Sequence, residues 1–235
     1  MTDEESSYDE DITIFSPQGR LYQVEYARET VRKGATTIGI KFDEGILFIA
    51  FKNDFSKTIE SISMEKIFQV DNHIACTYCG LSADARQLIE YLMEEIQINK
   101  IWYNEDITIK ILVENLCAYI NLFSRYQSVR PFGVVIFIGG IDSNGSCLFT
   151  TDPSGSFIEY SAICEGMNNE TVTKYLEKNY KKNLNVEKAI ILGLNAIKKA
   201  TNKKITPEKL EIGIIEKNKT FKKLSQDEIK KFLKS

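Results

Sequence analysis

Histidine is almost missing from this chain. One residue, His73, stands in 235, and it has no evident set of companions, so a histidine-based metal centre lacks material. Cysteine is sparse and scattered. The five residues, Cys76, Cys79, Cys117, Cys147 and Cys164, form an odd set that reads as reduced core thiols rather than a disulfide framework. Two of them are spaced as a ligand pair in "CTYC" (76–79), but along a strand these positions face opposite ways, and no second such pair completes a tetrad. No metal and no cofactor is therefore expected. No apolar run approaches the roughly 18 residues of a membrane span, and the opening "MTDEESSYDED" is the reverse of a signal peptide. A cytoplasmic protein without membrane contact is expected. Strong charge of one sign is absent as well. The net charge of −3 excludes a nucleic-acid binder that works by overall basicity, and "KNYKK" (178–182) and "KKATNKK" (198–204) read as solvated helix faces. No stretch rich in Pro, Gly or Ser marks a linker, which leaves one domain.

What is present is an ordinary globular composition, 43% hydrophobic and 27% charged, long enough to bury a full core. Residues 1–12 are expected to be a mobile acidic tail. An extension with a helix follows over 13–34: "DITIFSPQG" (11–19) reads as a short extended piece, and "RLYQVEYARETVRK" (20–33) places Leu21, Val24, Ala27 and Val31 on one helical face, with Gly34 as its stop. From 35 onward, hairpin-linked strands ("TTIGIKF" with "ILFIAF", then "KIFQV" and "HIACTYC") precede two long helices. The first carries Ala85, Leu88, Ile89, Leu92 and Ile96 on one face with Ser82 as N-cap; the second starts near Asp106. Strands return at "FGVVIFIGGI", "SCLFTTD" and "SFIEYSAI". Helices over about 169–180 and 186–200, a hairpin around "LEIGIIEKNKTF" and a last helix capped by Ser225 and Glu228 complete the chain. Two helix pairs between blocks of antiparallel strands predict an α+β fold, a four-layer α/β/β/α sandwich over 35–235.

Within this pattern "KGATTIGIKF" (33–42) poses a chemical question. Some threonine hydrolases begin their mature chain with a threonine leading into such a strand, where the free amine activates the hydroxyl. Thr36 and Thr37 lie far from the N-terminus. They are either a masked nucleophile or the same strand in a protein without chemistry.

The element order, with "YDEDITIFSPQGRLYQVEYARE" (8–29), "KGATTIGIKF" (33–42), "EKIFQV" (65–70), "GLSADARQLI" (80–89) and "RPFGV" (130–134), resembles the α-type subunits of the 20S proteasome, in style the archaeal ones. The match runs from Tyr8 through nearly the whole chain. The resemblance implies the Ntn-hydrolase-type sandwich and a heptameric ring of α subunits stacked on a ring of β subunits. Such a ring gates the passage of unfolded protein substrates and serves ATP-dependent degradation. Aligned on "IGI" (38–40), the nucleophile position of the catalytic relatives falls on Ala35. Their helping carboxylate falls on or beside Phe51, and the lysine on or beside Lys66. No catalytic residue is therefore expected.

For other sites the resemblance carries over residue by residue. Tyr8, Asp9, Pro17 and Tyr26 match the cluster that holds the N-terminal gate open, with Glu10 where most relatives have arginine. Gly34, Lys66 and Leu81 match a pocket between subunits that receives the C-terminal tail (hydrophobic-Tyr-any residue) of an activator ATPase ring. Tyr126 matches the pore constriction, although Gln127 and Ser128 stand where glycines are common. The apolar face of the 20–33 helix is expected to bury against neighbouring subunits. An N-terminal-threonine protease, of β type or a bacterial relative, is the runner-up, weakened by Gly34-Ala35 in place of a Gly-Thr junction. A free-standing binding protein would need no such N-terminal cluster.

Overall fold

The computed structural model describes residues 11–52, 58, 64–126, 129–201 and 205–234. Tyr8, Asp9 and Glu10, the tail over 1–10, and Gln127 and Ser128 lie outside the described residues. Two five-stranded antiparallel sheets form the centre. The first has the order β10 (Lys222–Lys223), β9 (Leu210–Glu216), β2 (Gly45–Phe51), β1 (Thr37–Phe42), β8 (Ala162–Glu165). The second runs β3 (Ile67–Gln69), β4 (Ile74–Gly80), β5 (Val134–Asp142), β6 (Gly145–Thr151), β7 (Phe157–Glu159).

Alternation of side chains along each strand gives both sheets two buried faces, and hence the layers. Ile38, Ile40, Leu47, Ile49, Ile212 and Ile214 point one way and are covered by α4 (Asn169–Asn179) and α5 (Val186–Ala200). Ile46, Phe48, Ala50 and Ile215 point the other way and meet Ala75, Cys79, Val135, Phe137 and Leu148 of the second sheet. The far face of that sheet, with Ile74, Cys76, Val134, Ile136 and Ile138, packs under α2 (Ser82–Tyr103) and α3 (Ile109–Leu122). The α/β/β/α sandwich is thus built as the periodicities require. Cys76 and Cys79 do fall in different layers.

Four local expectations are corrected. "SFIEYSAI" is not one strand: β7 pairs with β6 in the second sheet, while β8 pairs with β1 in the first. The chain changes sheet at Tyr160–Ser161, a crossing that apolar alternation does not encode. The segment 11–19 forms turns rather than an extended piece. The Gly19 N–H donates to the Ser16 carbonyl at 2.8 Å, and Gly19 has φ +74°, a left-handed conformation that favours glycine. Ser82 is not an N-cap; Leu81, with extended backbone, holds that place and Ser82 begins α2. Near Asp106, α3 begins at Ile109, whose N–H donates to Asp142 Oδ2 at 3.0 Å. That remote carboxylate does the capping.

Helix α1 (Tyr22–Arg32) brings the fifth correction. Val24, Ala27 and Val31 are buried within the chain itself, against the β4 and β5 end of the sandwich. The face that was expected to wait for a neighbouring subunit is already covered. Tyr26, on the same helix, is exposed. At the C-terminus, the Ser225 N–H donates to Glu228 Oε2 at 2.8 Å and the Glu228 N–H to Ser225 Oγ at 3.3 Å. These bonds form the expected capping box before α6 (Gln226–Lys234).

Candidate docking cavity and the silent threonine strand

The strand that resembles an active site holds its hydroxyls fast. Thr37 is fully buried, and its Oγ lies 3.1 Å from the Ala35 carbonyl and 3.0 Å from the Tyr78 carbonyl. Thr36 Oγ donates to the Met167 carbonyl at 2.7 Å. Each hydroxyl proton is committed to a carbonyl, and a carbonyl cannot take a proton as a base does. Ala35 itself is 8% exposed and offers a methyl group.

Immediately beside Ala35 lies a cavity of about 490 Å³, lined by Thr30, Lys33, Gly34, Ala35, Phe51, Met64, Lys66, Tyr78, Gly80, Leu81, Ser82 and Arg86. Three positions far apart in sequence, Gly34, Lys66 and Leu81, therefore meet on one surface. Backbone approach explains the convergence. A Cβ on Gly34 would stand 2.7 Å from the Gly80 nitrogen and 2.8 Å from Cys79 Sγ, so only glycine lets the end of α1 sit against the end of β4. The structure thus assigns Gly34 a packing reason within its own chain; it is not a left-handed helix stop. Gly80, at φ +121°, turns the chain out of β4 and would place a Cβ 2.2 Å from the Gly133 carbonyl. Leu81, 42% exposed, follows it, its N–H donating to the same carbonyl at 3.0 Å.

Lys66 reaches the cavity from the start of β3. Its residue is 8% exposed, and burial lowers its pKa, with Cys79 and Glu211 acting against that shift. The ammonium lies over the Tyr78 ring, 5.0 Å from its centroid. The register that opposes Ile67 to Thr77 sets these two residues across from one another, one step further out. Below them Glu211, 7% exposed, accepts the Lys66 N–H at 3.1 Å and the Ile67 N–H at 3.0 Å and pairs with Lys52 Nζ at 2.8 Å. Burial would raise the Glu211 pKa, but Lys52 and Lys223 hold it below the usual carboxylate range. Sequence reasoning missed both Glu211 and Tyr78, since nothing in their local pattern marks residues that brace a lysine over 140 positions away or across a strand pair.

A second brace shapes the Leu81 wall. Asp84 Oδ2 and Oδ1 accept from Arg130 Nη1 and Nη2 at 2.6 and 2.7 Å, and the Gly133 N–H donates to Oδ2 at 2.8 Å. Burial opposes the charge on Asp84, but these donors keep its pKa lowered. "RPFG" is thereby pinned to the first turn of α2, and Phe132 is buried as the chain leads into β5.

The other expected positions stay apart from this cavity. Pro17 and Tyr26 are exposed on the N-terminal extension. Tyr126 is 62% exposed beyond α3. His73 has companions after all: Asp71 and Asp106 each bring a ligand atom near it, because a turn and a loop distant in sequence meet there. Among the described residues no helix is long and apolar enough to cross a membrane.

Comparison with known proteins identifies the family. The family model described as "Proteasome subunit" matches residues 31–215, and the N-terminal signature of the A-type proteasome subunits matches residues 8–29. The proteasome alpha subunit of Methanothermobacter thermautotrophicus is 45% identical over 96% of this chain and 91% of its own length. The protein of the same name from Archaeoglobus fulgidus is 44% identical over 96% and 92%. That from Methanocaldococcus jannaschii is 44% identical over 97% and 87%. The α signature covers the part of the extension that packs Val24 and Ala27 onto the sandwich, and with the family match over the sandwich itself it follows that the chain belongs to the proteasome family, as an α-type subunit of the archaeal kind.

Proposed function

We propose that this chain is a non-catalytic subunit of a threonine endopeptidase complex in the cytoplasm. Seven copies form the outer ring, which stacks on and templates the β ring and gates the entry of unfolded proteins. The cavity beside Ala35 docks the C-terminal hydrophobic-Tyr-any-residue tail of an activator ATPase ring, whose carboxylate pairs with Lys66. The observation that carries this reading is the convergence of Gly34, Lys66 and Leu81 on one cavity, with an ammonium that has lost much of its water. A desolvated cation with a cavity before it gains most from an anion that enters with few waters of its own. Tyr8, Asp9, Pro17 and Tyr26 hold the gate open between neighbours, and Tyr126 lines the inner constriction. The threonine-protease alternative finds no support in Thr36 and Thr37, whose hydroxyls serve carbonyls.

The test uses the complex assembled with its β partner. Lys66→Ala abolishes stimulation of peptide hydrolysis by the activator and leaves unstimulated hydrolysis of short peptides intact. Stimulation that survives the substitution removes the docking role from this cavity.

A further inference from the structure

Away from the cavity, the turn between β3 and β4 carries a carboxylate whose hydrogen bonding is incomplete. The Asp71 side chain is 7% exposed. Its Oδ1 accepts from Lys100 Nζ at 2.6 Å and from the Asn72 N–H at 2.8 Å. Its Oδ2 is buried and accepts no hydrogen bond. Facing Oδ2 at 3.2 Å is Nδ1 of His73, the single histidine of the chain. The other ring nitrogen, Nε2, stands 3.3 Å from the Ile107 carbonyl. A carbonyl can only accept, so Nε2 carries the hydrogen there, and in the neutral ring Nδ1 presents a lone pair. In that tautomer a lone pair and a carboxylate oxygen meet with no donor between them, and the contact becomes favourable when a proton or a metal cation sits between the two.

Asp106, on the loop between α2 and α3, completes a set in which one ligand atom from each of Asp71, His73 and Asp106 lies within 4.8 Å of the others. Zinc bonds of about 2.0–2.2 Å in a tetrahedron hold two ligands roughly 3.3 Å apart, close to the separation of Nδ1 and Oδ2. An imidazole nitrogen beside two carboxylates selects a borderline transition ion over calcium or magnesium.

We propose that Asp71, His73 and Asp106 form a binding site for a divalent transition cation of the zinc class. His73 Nδ1 and Asp71 Oδ2 are the chelating pair, Asp106 is the third ligand, and water fills the remaining positions. The ion ties the β3–β4 turn to the loop between α2 and α3. Lys100 is its competitor. The ammonium already holds Asp71 Oδ1 and lies 3.6 Å from Asp106 Oδ1, so it repels the incoming charge and makes the site weak, with a signature of its own.

The untagged full-length chain is titrated with zinc chloride in a competition assay against a chromophoric chelator, and with cobalt for its visible absorption. One ion per chain is expected to bind. His73→Gln abolishes binding while the metal-free melting temperature stays the same, and Asp71→Asn weakens it. Lys100→Gln tightens it by about tenfold, the size of an ammonium's repulsion in a high-dielectric setting. The histidine ring resonances, which have one source, shift with zinc at the same midpoint. Three results overturn the proposal: stoichiometric binding unchanged in His73→Gln, loss of binding in Cys147→Ser (the partly exposed thiol), or no saturable binding even by the Lys100→Gln chain.

Discussion

Replacing Asp84 separates a packing contribution from a charge contribution at the wall of the cavity. The carboxylate accepts two bonds from Arg130 and one from the Gly133 N–H. The Arg130 side chain is 61% exposed, so solvent screens the ion pair, which contributes at most about 1 kcal/mol. The Gly133 N–H is buried, and stranding it costs about 1–3 kcal/mol. Asp84→Ala loses both and should destabilise by roughly 2–3 kcal/mol. Asp84→Asn keeps an acceptor for Gly133 and should cost about 1 kcal/mol. For a chain of this size each kcal/mol moves the melting temperature by about 2–4 °C. The assay is thermal melting at one fixed protein concentration, since assembly makes stability concentration-dependent.

The pH dependence of this pair has a definite sign. The Asp84 pKa is lowered in the folded chain, so its contribution is complete above the unfolded value near ~3.9 and is lost as pH falls through the folded one. The gap in melting temperature between the wild type and Asp84→Ala should therefore hold from neutral pH down to about 5 and shrink below about 4. An Asp84→Ala chain that melts with the wild type, or an Asn variant as unstable as Ala, would refute the assignment of Gly133 as the decisive partner.

Two further predictions concern the proposed docking role of the cavity and the proposed gate. Because burial lowers the Lys66 pKa, affinity for a carboxylate-ended tail peptide should fall with rising alkalinity below the pH at which an exposed lysine titrates. Isothermal titration at several pH values, with the amide-ended peptide as control, reads this directly, and equal pH profiles for both peptides would contradict it. Deleting residues 2–12 should raise peptide hydrolysis by the unstimulated complex with its β partner. An unchanged rate would take the gate from the tail.

Much of the fold was legible because its strands and helices are strongly periodic: the layer assignment follows from alternation in "TTIGIKF" and "HIACTYC". Failures cluster where long-range partners decide. The sheet change between Ile158 and Ala162 depends on which edge each half finds, and the cover over α1 depends on β4 and β5, over 40 residues away. At the site, Gly34, Lys66 and Leu81 were found through a family pattern, which names positions but not their neighbours. Tyr78 and Glu211 entered only with the register that opposes β3 to β4 and the bond from Glu211 to the Lys66 N–H. Of the companions of His73, Asp71 lies two residues before it, but Asp106 and Lys100 are remote in sequence and share no local motif with it.

The most direct test of the central reading is the native mass of the purified chain, alone and with its β partner, taken together with peptide hydrolysis by each preparation. The account predicts assemblies in multiples of seven chains that are inactive alone and active only once the β partner is present. Hydrolysis by the lone chain that a threonine-directed inhibitor blocks would contradict it.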